Sequence, residues 1–455
     1  MNLLATLRRL FTRGGPPEAG LPYHSLRWPA VPNSPNPTPD NNIMARARAE
    51  AEVRDSALAK RIQSAWSGAL VGGSGITPML ADPDLRRRWD NWAAMPDAAG
   101  RLDWIGILQQ IAETLITSGE CFVQLVIDEG AAEIPLSLLV LPPEYLDVSK
   151  NNGRDTVSGI QFAGTRRTGY WLFKSHPAIP GTTLDSVLVP ASDCLHVFRA
   201  LRPADQRGET WFAPVLYLLR LLREFLEADL QRQKTSALVA GFITSPDGAT
   251  NPLPMGPQGQ IMLEPASMTL LPAGTEIQFS APADHGIAFD PFVKSVIRQI
   301  AAGMGLSYET VSGDLGTVTF ASGRAGILEF RRQVESVQYG VLIPQLCQPI
   351  LNRWLQLAAA LGYDAAASER PRWAVPSPAA LDARAETLND ILRVRAGFAS
   401  RREIVESAGW VVDDIDAEIA SDQARARGLA LVLDVDSRMT QQGQEQTVSQ
   451  EQPAL

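Results

Sequence analysis

The sequence predicts an α+β chain: a compact mixed region, then long helices, then a helical C-terminal part. Three observations carry this reading. Short β-type runs alternate with turns between residues 134 and 198. Residues 211–239 form one continuous helical pattern, with Val215, Leu218, Leu219, Leu222, Phe225, Leu226 and Leu230 on one face. A proline-rich break at 241–284 then separates that pattern from further helices.

Taken in order, residues 1–13 are leucine-rich but interrupted by Arg8 and Arg9. They are too short for a signal h-region or a membrane span, so a short amphipathic helix and no membrane association are expected. Residues 14–42 are rich in Pro, Gly and Asn, which favours an extended arm. Residues 45–70 read as one helix of Ala, Arg and Glu, ended by Gly72-Gly73-Ser74-Gly75. A second helix is expected over 100–117, followed by strands at 121–127, 138–141, 157–162, 169–173 and 193–198.

The helical pattern at 211–239 would span roughly 43 Å at the α-helical rise, with Pro214 tolerated in its first turn. Its polar face pairs Arg220 with Glu224 and Arg223 with Glu227 at i,i+4 spacing. The break at 241–284 holds seven prolines, strand-like runs at 260–263 and 276–279, and four acids with no Lys or Arg. Residues 291–303 form another helix, ended by Gly303-Met304-Gly305. Residues 307–326 read as a Gly, Ser and Thr loop, and 327–361 as a long helix kinked at Pro344. Three short helices fill 379–429, separated by Gly397 and Gly409, the second opened by a Ser400-x-x-Glu403 capping box. The Gln-rich stretch after 436 is expected to be disordered.

Composition narrows the function classes. Cys121, Cys194 and Cys347 lie far apart, which provides neither a disulfide framework nor a zinc ligand set and suits a reducing cytoplasm. The formal net charge of -9 disfavours gripping nucleic acid by neutralising many phosphates. It is compatible with a wall past which DNA slides, because an acidic surface repels the backbone.

Catalytic patterns are not met. Gly72 to Ile76 fails G-x-S-x-G at its last position, Gly303-x-Gly305 lacks the third glycine of a dinucleotide loop, and no phosphate-binding G-x-x-x-x-G-K-[ST] occurs. Strand alternation puts Cys194 and His196 on one face and Asp193 on the other, so this trio reads as structural. His24, His176, His196 and His285 have no metal-ligand spacing, and Asp413, Asp414, Asp416 and Glu418 open a helix whose dipole they stabilise. No enzyme activity, metal or cofactor is expected.

The order of elements, with a set of local segments, resembles the lambda-type family of bacteriophage portal proteins. The segments are Val71-Gly72-Gly73-Ser74-Gly75-Ile76-Thr77-Pro78, Arg88-Trp89-Asp90-Asn91-Trp92, Ser118-Gly119-Glu120-Cys121-Phe122, His196-Val197-Phe198 and Arg207-Gly208-Glu209-Thr210-Trp211. Further along come Phe289-Asp290-Pro291-Phe292-Val293-Lys294, Arg298-Gln299-Ile300-Ala301-Ala302-Gly303, Ser312-Gly313-Asp314-Leu315 and Ala321-Ser322-Gly323-Arg324-Ala325-Gly326. Together they cover about residues 44 to 430, with Gly323 standing where the family pattern has alanine and an arm poorer in basic residues.

The resemblance implies a portal fold: a flexible arm (1–43), an α+β wing (44–210), a stem helix (211–240), a β-containing clip (241–284) and a second stem helix (285–306). A channel loop (307–326), a kinked wing helix with its connection (327–377), a helical crown (378–435) and a disordered tail (436–455) complete it. It further implies a dodecameric ring at one capsid vertex, assembled in the host cytoplasm, through which double-stranded DNA is packaged and ejected. Partners would be other copies of the chain, the terminase large subunit, a head-tail adaptor, and capsid and scaffold proteins. Candidate channel residues are Lys294, Arg298, Thr317, Thr319, Ser322, Arg324, Arg331 and Arg332. Candidate clip residues for partner binding are Gln260, Glu264, Glu276 and Gln278, whose strands suit β-augmentation. Between 287 and 339 five bases balance five acids, which suits weak sliding contacts. The alternative for Arg324, Arg331 and Arg332 is pairing with Glu329 and Glu335 on their own helix. The alternative functions are a structural adaptor that forms no ring and a soluble α+β enzyme.

Overall fold

The computed structural model of the chain describes residues 39–80, 82–128, 133–179, 184–203, 205–238, 242–244, 276–278, 289–316, 320–363, 371–376, 383–407, 410, 412–429 and 431. The expected arm up to residue 38, the run 260–263 and the Gln-rich tail lie outside them.

The stretch read as one helix over 45–70 is two, α1 (Pro39–Asp55) and α2 (Ala57–Val71). Ser56 divides them: its hydroxyl accepts the Ala59 N–H at 3.4 Å, the role of an N-cap that restarts a helix. Strand β1 (Thr77–Met79) precedes α3 (Pro83–Ala93), where Asp82 caps the Asp84 N–H at 2.8 Å and Pro83 takes the first position. Helix α4 (Trp104–Ser118) starts later than residue 100 because Asp103 caps the Gly106 N–H at 2.7 Å.

Strands β2 (Glu120–Ile127), β3 (Leu136–Leu141), β4 (Thr156–Val157), β5 (Ile160–Ala163), β6 (Arg166–Phe173), β7 (Ser186–Pro190) and β8 (Cys194–Phe198) form two sheets, ordered β3-β2-β8 and β4-β5-β6-β7. Strand β7 has no counterpart in the sequence reading. It is a short edge strand, half exposed and ended by Pro190, so it carries little hydrophobic alternation.

Helix α5 (Leu216–Leu238) begins after a turn that includes Pro214, rather than at Trp211. Strands β9 (Phe242–Thr244) and β10 (Glu276–Gln278) pair antiparallel, Ile277 opposite Ile243. Helices α6 (Phe289–Gly303), α7 (Tyr308–Ser312) and α8 (Phe320–Val337) follow. The region read as a loop over 307–326 therefore holds a whole helix and the start of another. Ser307 caps α7 by accepting the Thr310 N–H at 3.3 Å, and Gly313 closes it at φ 74, so small polar residues here serve as helix caps.

The single kinked helix expected over 327–361 is α8, a ten-residue π-helical stretch (Gln338–Cys347) holding Pro344, and α9 (Gln348–Ala360). A proline without an N–H is absorbed by the wider π-type turn. Strand β11 (Arg372–Ala374) pairs with β1, and α10 (Ala383–Arg395), α11 (Arg401–Ser407) and α12 (Val412–Gly428) complete the chain. Ser400 accepts the Glu403 N–H at 3.0 Å, the first half of the expected capping box. No described helix is long and apolar enough to cross a membrane.

The described residues pack as two units, those within 1–67, 110–125 and 139–341, and those within 68–109, 126–138 and 342–455. The first has a core of Phe122, Leu141, Leu146, Ile160, Tyr170, Leu172 and Cys194. In the second, Trp89 meets the rings of Trp92, Trp104 and Trp354 at 4.8, 5.8 and 5.5 Å. Two of these indoles donate to backbone, Trp92 to Leu136 O at 2.7 Å and Trp104 to Ile76 O at 2.8 Å, so their polar ends are satisfied within an apolar cluster.

Candidate functional site

The residues singled out around the Gly, Ser and Thr segment belong to the first unit, where three aromatic side chains fix their supports. Trp66 of α2 stands edge-on to Trp211 (5.0 Å) and to Phe330 of α8 (4.9 Å), and its indole N–H donates to Met304 O at 3.0 Å. The Gly303-Met304-Gly305 break serves this close packing. A Cβ on Gly303 would lie 2.5 Å from Val215, and Gly305, at φ +67, leaves no room beside the Gln333 side chain.

On this base α6 presents two of the candidate cations. Lys294 Nζ lies 2.9 Å from Asp290 Oδ2 and 3.7 Å from Asp314 Oδ2. Arg298 stacks over the Tyr308 ring at 5.2 Å, and the Tyr308 hydroxyl donates to Asp314 at 3.3 Å. Asp314 also accepts the Gly316 N–H at 3.0 Å. That N–H, with Lys294 and Tyr308, holds the Asp314 carboxyl below its usual range, and Asp290 raises the Lys294 ammonium. The start of the loop is thus tied to α6 by the Lys294–Asp314 ion pair and by Arg298 over the Tyr308 ring.

Arg324 and Arg332 of α8 are exposed and make no ion pair with Glu329 or Glu335 among the described residues. Arg331 is half-buried on the same helix. Ser322 lies in the first turn of α8, while Thr317 and Thr319 lie outside the described residues. Gln260 and Glu264 also lie outside them; Glu276 and Gln278 form the two ends of β10.

Helix α5 lies against α6, Phe225 meeting Phe289 at 5.8 Å and Phe292 at 5.3 Å. Beyond this contact Leu226 and Leu230 remain 41% and 52% exposed, so the apolar stripe of α5 is only partly covered within one chain. Of the two ion pairs expected on its polar face, Arg220 to Glu224 forms at 2.8 Å. Arg223 instead reaches Glu52 of α1 at 3.3 Å, a buried partner beyond the scope of helix periodicity.

One constellation is not visible to motif reading. The buried Glu120 carboxylate accepts from Arg46 Nη2 at 2.5 Å, Arg207 Nε at 2.6 Å, the Gly208 N–H at 2.8 Å and His196 Nε2 at 3.0 Å. Burial opposes ionisation, but Arg207, Arg46 and His196 outweigh it and hold the carboxyl well below the carboxylate range. Burial pushes His196 down to about 4, so its imidazole is neutral near pH 7 and donates from Nε2. Its ring stacks between Phe122 and Phe198 at 4.3 and 4.7 Å. The approach requires two glycines: a Cβ on Gly119 (φ +86) would lie 2.2 Å from Glu209 backbone, and one on Gly208 2.1 Å from Gly119 O. Three segments of the family resemblance, around 118–122, 196–198 and 207–211, therefore meet at one buried charge. With every lone-pair direction of Glu120 occupied and no solvent access, this is a structural clamp and not a reactive centre. The cysteines likewise are buried, with Cys194 pushed up to about 12, and no metal-binding cluster occurs among the described residues.

Comparison with known proteins bears on the family and the fold. A family model described as phage portal protein, lambda family, matches residues 24–338. The probable portal protein of Halomonas phage phiHAP-1 is 25% identical over 349 residues, 70% of this chain and 66% of that protein, so the chain spans just under two thirds of the relative's length. A solved neck of a native gene transfer agent particle, computed with C12 symmetry, superposes with a TM-score of 0.52 at 14% identity. That match covers 82% of this chain and 94% of the neck chain, and shows a shared fold. The family is structural and not enzymatic. The extent of the family match, over more than half of the residues, establishes that this chain belongs to the lambda family of phage portal proteins.

Proposed function

We propose that copies of this chain assemble into a dodecameric ring at one capsid vertex and that double-stranded DNA passes through its centre during packaging and ejection. The family match over residues 24–338 carries this reading. The twelvefold symmetry is that of the solved gene transfer agent neck, whose chain shares the fold. The uncovered leucines of α5 support it from the chain itself, because an apolar stripe that continues past its intrachain partner suits packing against neighbouring copies.

In this reading Lys294, Arg298, Arg324, Arg331 and Arg332, with Thr317, Thr319 and Ser322, belong to the channel. Five bases against five acids over 287–339 give contacts with DNA that are weak and sensitive to salt. The segment 241–284, with Gln260, Glu264, Glu276 and Gln278, docks the terminase large subunit during packaging and the head-tail adaptor afterwards. Capsid and scaffold proteins surround the ring, which assembles in the host cytoplasm and ends in the particle.

The test is negative-stain electron microscopy of the purified protein with light scattering for its mass. Rings with a central hole and twelvefold views are the expected result. A compact closed dimer would overturn the ring.

A further inference from the structure

Helix α10 buries none of its 13 residues. A helix of that length is marginal in water unless tertiary packing supports it. Leu388, Ile391 and Leu392 stand at i, i+3 and i+4 and are 51%, 42% and 61% exposed, so one apolar face is uncovered. Arg384 and Arg395 extend that stripe by one turn at each end. Neither makes an ion pair among the described residues, whereas Arg393, off the stripe, pairs with Asp390.

Helix α12 carries the reciprocal pattern. Its first-turn acids are engaged within the chain: Asp414 with Arg86 at 2.6 Å, Asp416 with Arg401 at 2.7 Å, and Asp413 with Arg402 at 3.6 Å. Glu418 and Asp422 have no such partner among the described residues, and they flank Ile419, which is 44% exposed.

We propose that α10 of one copy packs against α12 of the next, Leu388, Ile391 and Leu392 closing over Ile419 while Arg384 and Arg395 meet Glu418 and Asp422. Charge complementarity sets the register of the two helices, and the apolar residues supply the contact. The two faces differ, so the contact is head-to-tail, the kind whose repetition gives a ring where the rotation closes and never a symmetric pair. The inference rests on the ring reading but uses residues beyond 338, outside the span that matches the family model.

The test uses two single variants, Leu392→Cys and Ile419→Cys, co-expressed and mildly oxidised, then separated on a non-reducing gel. All three native cysteines are buried, so the background is low. The expected result is a disulfide-linked dimer from the mixture and none from either variant alone. A dimer from Leu392→Cys alone would show a symmetric contact and overturn the proposal. Rings without dimer would overturn this contact and leave the ring standing; dimer without rings in the microscope would do the reverse. Absence of both would overturn both.

Discussion

Arg46 Nη2 lies 2.5 Å from Glu120 Oε1, and the two side chains are 3% and 0% exposed. Helix α1 is thereby fixed to the start of β2 by charge in the interior of the first unit. Arg46 also donates to Ser118 O at 2.9 Å, and Asn42 to Gly208 O at 3.0 Å, so α1 is held by polar groups as well as by the buried Ala45, Ala49 and Val53. Removing one member of such a buried set leaves the others uncompensated. Glu120→Gln is expected to lower stability by about 3–5 kcal/mol, seen as an earlier midpoint in urea denaturation followed by tryptophan fluorescence.

The same clamp makes the first unit acid-sensitive. His196 is held at about 4 against 6.5 when unfolded, and Glu120 is held well below its unfolded value. In both cases the unfolded chain binds protons more readily, so stability is lost as pH falls. The His196 part disappears between about 6.5 and about 4, at up to ~1.4 kcal/mol per pH unit, and the Glu120 part as pH drops below the unfolded carboxylate range. Urea midpoints from pH 8 to pH 4 should decline accordingly, with a shallower decline for His196→Gln over the upper part of the range.

Gly119 and Gly208 admit no side chain. Gly119→Ala places a Cβ against the Glu209 carbonyl in a left-handed backbone conformation and should cost more than about 2 kcal/mol. The expected outcome is a drop in soluble yield and in melting temperature, measured against Gly164→Ala, whose site has open space although its φ is similar.

Arg324 and Arg332 are exposed cations with no ion-pair partner among the described residues. If they contact passing DNA, Arg324→Glu with Arg332→Glu should leave ring assembly intact and reduce the amount of genome per particle. Quantifying DNA in purified particles checks this. Full-length genomes at the normal rate would remove both residues from the channel.

Leu226 and Leu230 contribute little to the single chain, being about half exposed. Leu226→Asp with Leu230→Asp should therefore leave the monomer folded by circular dichroism while abolishing the large assembly in light scattering. Loss of fold instead would place these leucines in the monomer core.

The sequence by itself determined the long helices, their order, the proline-rich interruption and the lack of catalytic motifs. These follow from periodicity, helix breakers and spacing, all of which operate within a few residues. It also showed where Ser400 and Gly303 to Gly305 punctuate helices, because a cap or a left-handed glycine acts on its own neighbourhood. Only the tertiary structure decided that Arg46, His196 and Arg207 share one carboxylate, since they stand 74, 76 and 87 residues from Glu120. It alone paired Arg223 with Glu52 instead of Glu227, gathered four tryptophans from distant segments, and turned a supposed loop at 308–312 into a capped helix. Burial creates those relations: a charge removed from water must find its partner wherever the fold brings one, and linear spacing carries no record of that choice.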